Sequence, residues 1–218
     1  MQNPIEKIGD RINSMTQEPQ LSLSEQTAAQ AEFIVNNFRE THYRHPVNID
    51  VDRGVYICDC NGFVGFVLER FAPAHFAMIP KEEDQPRPRA FEYYVFFSSL
   101  TPHSTGGWHQ IDLLRDVRRG DGISWRLPKV EEHHDTGHVL FAAETPVADS
   151  QGNFTVPVYD SARLPHANDT RGKGEGGIGS GRISFQVDAK GRPTAFQFAP
   201  LKDFETLPIA IGRFEPLP

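Results

Sequence analysis

The stretch YICDCNGFVGFVL, Tyr56 to Leu68, places both cysteines of the chain two residues apart and runs directly into an apolar, glycine-spaced segment. Phe63, Val64, Phe66, Val67 and Phe71 recur at three- and four-residue steps, which predicts a helix beginning at or just after Cys60 and stopping before Pro73. Cys58 then falls in extended or turn chain upstream. A C-x-C pair is no disulfide framework, because closing so short a loop strains the bridge, and both residues read as free thiols. The start of a helix supplies unpaired N–H groups and a partial positive charge that favour a thiolate. Cys60 is therefore placed for chemistry and Cys58 reads as incidental. The competing reading, two small buried hydrophobes, stays open on this local pattern.

Working outward, SLSEQTAAQAEFIVNNFRE sets Glu25 three residues after Ser22, a capping-box pattern, with Ala28, Ala31, Ile34, Val35 and Phe38 on one face. This predicts a helix over Ser24 to Arg39, and residues 1–20 read as a polar arm. Downstream, KEEDQPRPRA over Pro80 to Ala90 reads as an exposed loop, while FEYYVFFSSL fits a buried helix or a strand. Gly-Asp-Gly then marks a turn before ISWRL. From there the texture is short alternating runs, GHVLFAAE, NFTVPVYD, GRISFQVD and PTAFQFAP, with DSQGN and DAKGR as hairpin turns. Helices first and an antiparallel sheet after them give an α+β layout.

The bulk properties narrow the function. With 218 residues, 38% hydrophobic and 23% charged, the chain is globular in composition and long enough for a sizeable core. A net charge of −7 with no basic run argues against nucleic acid as a partner. No stretch approaches the roughly 20 apolar residues of a membrane helix. The N-terminus lacks a signal-peptide pattern, which leaves open a cytoplasmic location or an exported protein whose leader has been removed.

A cysteine nucleophile needs a base and a group to orient that base. His138 opens the apolar run GHVLFAAE, where a stiff strand would hold the imidazole. Asp160 ends the next run and can lie beside it, with His166 as a rival for the orienting role near Asp169 and Arg171. His133 and His134 read as solvated loop residues. A zinc site drawn from Cys58, Cys60, His133, His134 and His138 matches no common spacing. GKGEGGIGSG lacks the spacing of a phosphate loop and reads as a flexible loop. No cofactor and no metal are expected.

These residues carry a resemblance. DCNGFVGFVL resembles the Asp-Cys-Ser-Gly-Phe-Val signature of the NlpC/P60 cysteine peptidases, and GHVLFA resembles that family's Gly-His-Val-hydrophobic strand. RRGDGISWR resembles the Gly-Asp-hydrophobic-aromatic strand before the histidine, and THYRH the Thr-x-Tyr element before the cysteine. The four elements stand in family order over Thr41 to Asp160. The resemblance implies a papain-like α+β fold, N-terminal helices packed on a C-terminal antiparallel sheet, in one catalytic domain over 21–218. An insertion would fall around 75–105, with a C-terminal strand extension. It implies Cys60 as nucleophile and His138 as general base, with Asp59 and Asn61 flanking the nucleophile and Tyr43 helping hold the oxyanion or substrate. Asp160 as the third residue departs from the family's usual His, Asn or Gln. So do the long Cys60–His138 spacing, Asn61 in place of Ser, RHP in place of a glycine pair, and the stretch from Asp160 to Ile183. The implied activity is hydrolysis of an amide in a peptide, with a bacterial peptidoglycan stem peptide as first substrate class. An amidase or acyltransferase on the same scaffold, or a catalytically idle binding protein, are the alternatives.

Overall fold

The computed structural model describes residues 21–217 apart from 105, 130–134 and 201. The proposed arm over 1–20 and the pair His133 and His134 lie outside the described residues.

Helix α1, Leu23–Asn37, starts at an N-cap Ser22 whose side chain accepts from the Glu25 N–H while Glu25 reciprocates. Strands β1 (Glu40–His42), β2 (Asn48–Asp50) and β3 (Val55–Ile57) form a small sheet in the order β1-β3-β2. Helix α2, Cys60–Phe71, follows at once, with the Asp59 carboxylate accepting from Gly62 N–H at 2.8 Å as its N-cap. A short helix α3, Pro73–Phe76, continues it. FEYYVFFSSL resolves as helix α4, Ala90–Ser99, because Tyr93 and Phe97 bury against the sheet while Val95 faces solvent.

Strands β4 (Trp108–Gln110), β5 (Gly122–Arg126), β6 (Gly137–Ala142), β7 (Val147–Ala148), β8 (Phe154–Ala162), β9 (Gly177–Val187), β10 (Pro193–Gln197) and β11 (Ile209–Phe214) form an antiparallel sheet. Its order is β10-β9-β8-β6-β5-β11-β4, with β7 paired to β8. The molecule is thus α+β, with helices against a curled antiparallel sheet. One apolar cluster joins the helices to the near face through Val139, Phe141 and Tyr159; a second, with Trp125, Leu140, Val158 and Phe196, fills the far face. Alternation along β6 and β8 sorts those residues between the two.

Two features depart from the sequence reading. The glycine-rich stretch is half strand: every residue of β8 from Phe154 to Ala162 pairs with β9, so its beginning at Gly177 is fixed by long-range pairing that local composition does not display. Strand β8 runs on to Ala162, leaving Asp160 inside it rather than at its end.

The feature that positions the site is a fork. Strands β6 and β8 pair only at Phe141↔Tyr159 and Ala142↔Val158, then diverge. The chain entering α2 meets both prongs. The Ser161 hydroxyl donates to the Cys58 carbonyl at 2.7 Å, and Cys60 lies against the Val139 N–H.

Candidate active site

Cys60 is the first residue of α2, where the backbone N–H has no carbonyl four residues back to bind. Its thiol is 3.8 Å from Asn61 Oδ1, and Asn61 in turn donates to the Pro88 carbonyl at 3.2 Å. Burial pushes the Cys60 thiol well up, the Asp59 carboxylate adds to this, and the Val139 N–H opposes it. At neutral pH the resting sulfur is therefore protonated, despite the helix start beneath it. Cys58 is fully buried, its thiol pushed up to about 12 by burial and Asp59, and it borders none of the described cavities.

His138 enters from β6 on the same face as Asp160 on β8, as the shared alternation requires. Its Nε2 donates to Asp160 Oδ2 at 2.6 Å across the fork. The ring is stacked on Trp125, with centroids 5.1 Å apart, and the edge of Phe198 closes on it at 5.3 Å. With Nε2 committed to Asp160, Nδ1 is the nitrogen left for proton transfer. Among the described residues no hydrogen bond joins it to Cys60 in this resting arrangement, in which the thiol turns toward Asn61. Catalytic hydrogen bonds commonly tighten only when substrate binds.

Asp160 is the hub. It is fully buried and also accepts from His166 Nε2 at 2.9 Å and from Arg171 Nη2 at 2.9 Å. Burial alone would raise its carboxyl; the charges of His166 and Arg171 and the two histidine hydrogen bonds overcome this and hold it well below the usual carboxylate range. His166 faces acceptors on both sides, Asp160 Oδ2 and the Phe198 carbonyl 2.7 Å from Nδ1, so both ring nitrogens carry protons. Burial disfavours that charge, yet Asp160 raises the His166 pKa overall. Arg171 is held further by Asp169 and by the Gly177 carbonyl. His166 is thus a second partner of Asp160 rather than a substitute for it.

The same cluster explains the glycines. Gly177, Gly179 and Gly181 alternate along one face of β9, and a side chain there would collide with Thr41, Arg171 and Asp169 respectively. The bare strand is the bed on which the His166–Arg171 segment lies. A metal among His138, Asp160 and His166, whose donor atoms fall within 4.8 Å of one another, does not fit this donor set. Both imidazoles already donate to one carboxylate, and Arg171 supplies its countercharge.

Around the thiol lies a cleft of about 870 Å³ bordered by Tyr43, Asp59, Asn61, Arg87, Arg89 and Thr136 among others. Tyr43 follows β1, whose Thr41 hydroxyl donates to the Tyr56 carbonyl and accepts from the Ile178 N–H, tying both sheets together. Asp59 is engaged by the helix cap, by Arg87 Nη2 at 3.1 Å and by His45 Nδ1 at 3.2 Å, so its position is that of a brace for the α2 start. Arg87 went unremarked in the sequence reading, and Trp125 entered it only as the aromatic of the GDGISW strand. Arg87 lies in a charged loop with no pattern to mark it, and Trp125 looked like an ordinary strand aromatic.

An uncharacterized protein of Acanthamoeba polyphaga mimivirus is 27% identical to this chain, the match covering 81% of this chain and 88% of the viral one. No family model matches the sequence, and no solved structure matches it.

Proposed function

We propose that the protein is a cysteine-nucleophile hydrolase that cleaves an amide bond in a peptide through a thioester, on an NlpC/P60-like, papain-like scaffold. The observation that carries this reading is the buried 2.6 Å contact between His138 Nε2 and Asp160 Oδ2, taken with Cys60, which opens α2 and borders the cleft.

The chemistry starts from a neutral thiol. Asp160 already balances two cations, so its charge is shared, and His138 acts as a general base. As Cys60 Sγ attacks the amide carbonyl, its proton passes to His138 Nδ1, and the imidazolium formed is steadied by Asp160. The Cys60 N–H, with Tyr43 at the cleft wall, receives the oxyanion. Collapse breaks the C–N bond, and His138 returns the proton to the leaving amine. Water, deprotonated by the same imidazole, then cleaves the thioester and regenerates the thiol.

The test is acylation by p-nitrophenyl acetate, mapped by peptide mass spectrometry. Acetylation at Cys60 that survives Cys58→Ala and drops at least a hundredfold in rate in His138→Ala supports the reading; acetylation indifferent to His138 removes it. Peptide amides are the next substrates to screen.

A further inference from the structure

Beside the Cys60 cleft, and sharing Tyr43, His45 and Pro46 with it, runs a second groove of about 530 Å³. Its wall holds His42, Arg44, His45 and Arg163, and no carboxylate is among the residues that border it. In a chain of net charge −7 this is a local reversal of sign. The basic residues come from separate parts of the sequence, Arg163 from beyond β8 and the others from β1 and the turn after it, so no basic run announces them.

The cations are poorly spent on the protein itself. Among the described residues Arg163 has no carboxylate partner, its guanidinium lying 5.9 Å from the Tyr43 ring centroid. Among the described residues the Arg44 side chain donates to the Tyr43 carbonyl, at 3.4 Å, and has no carboxylate partner. Both are exposed residues. His42 meets Glu40 at 3.5 Å on the open surface, and His45 is turned to Asp59. Two unspent guanidiniums on one concave wall offer forked donors matched to a carboxylate or phosphate.

We infer that this groove is an anion-binding subsite of the Cys60 cleft, and that the substrate carries a carboxylate or phosphate on the Tyr43 side of the scissile bond. This rests on the hydrolase reading for its link to catalysis, but the anion site stands or falls on its own.

The experiment is calorimetric titration of the full chain with inorganic phosphate and, separately, with glutarate at low ionic strength. Saturable binding of either, weakened at least tenfold in Arg44→Gln/Arg163→Gln and unchanged in Cys60→Ser, is the expected result; the tighter of the two identifies the anion. The two arginines are surface residues, and matching circular dichroism of the double variant confirms that its fold is intact. Binding of neither anion, or equal binding by the double variant, overturns the inference. Acetylation of Cys60 by p-nitrophenyl acetate, followed in parallel, separates the two ideas. In the unsubstituted protein, acetylation without anion binding sinks only the subsite, and anion binding without acetylation sinks only the hydrolase.

Discussion

Cys60 sits where two local influences disagree, a helix start that favours the thiolate and full burial beside Asp59 that opposes it, and burial prevails. Alkylation by iodoacetamide in the absence of substrate should therefore be slow at pH 7 and climb past the free-thiol range near ~8.5; a plateau reached below pH 7 would show a preformed ion pair instead. Cys58, buried and titrating at about 12, should stay unlabelled throughout. Asp160→Asn removes the anion facing two buried cations, so it should cost about 3–5 kcal/mol of stability, measured by urea unfolding, as well as slowing acylation. His166→Ala should also destabilise, because it takes away a cation that keeps Asp160 ionised. These roles were only partly legible in the sequence. The meeting of His138 with Asp160 could be read from position, whereas the sharing of Asp160 with His166 depends on where a loop folds back over β9.

The elements show the same division. Helix α2, the strands β5, β6, β8 and β10 and the second half of β9 follow from periodicity and turn residues, because each satisfies its pattern locally. The segment around Arg87 is different: Arg87 and Pro88 reach back to Asp59 and Asn61, so a stretch that reads as an exposed loop forms one wall of the cleft. Nothing local encodes that return. Neither does local pattern place β11 between β5 and β4. Gly137, at φ +133°, opens β6 with its Cα hydrogen aimed at the Trp125 carbonyl, and an added Cβ would fall 2.0 Å from that oxygen. Gly137→Ala should therefore shift the residue that leads into His138, costing about 1–3 kcal/mol in thermal unfolding and lowering acylation of Cys60. Normal activity with a lowered melting point would show that the strand relaxes without moving the imidazole.

For the whole molecule the buried charge cluster sets the response to pH. The His166 pKa is raised in the folded state, so its stabilising contribution is complete below its unfolded value near ~6.5 and disappears as pH rises through the folded value. The Asp160 pKa is lowered, so its contribution holds above the ordinary carboxylate range and fails only in strong acid. The melting temperature should decline from pH ~6.5 upward, and His166→Gln should flatten that decline; an identical slope in both proteins would show that His166 is not the group responsible. The fork between β6 and β8 carries a last consequence. Thiol, imidazole and carboxylate are all fixed to regular elements at one break in the hydrogen-bond ladder, while the cleft walls come from connecting segments around 43–47, 85–90 and 163. On the proposed hydrolase reading, reactivity and selectivity are encoded in separable parts of the chain, so grafting different wall segments onto an untouched fork is a route to retargeting that chemistry without rebuilding it.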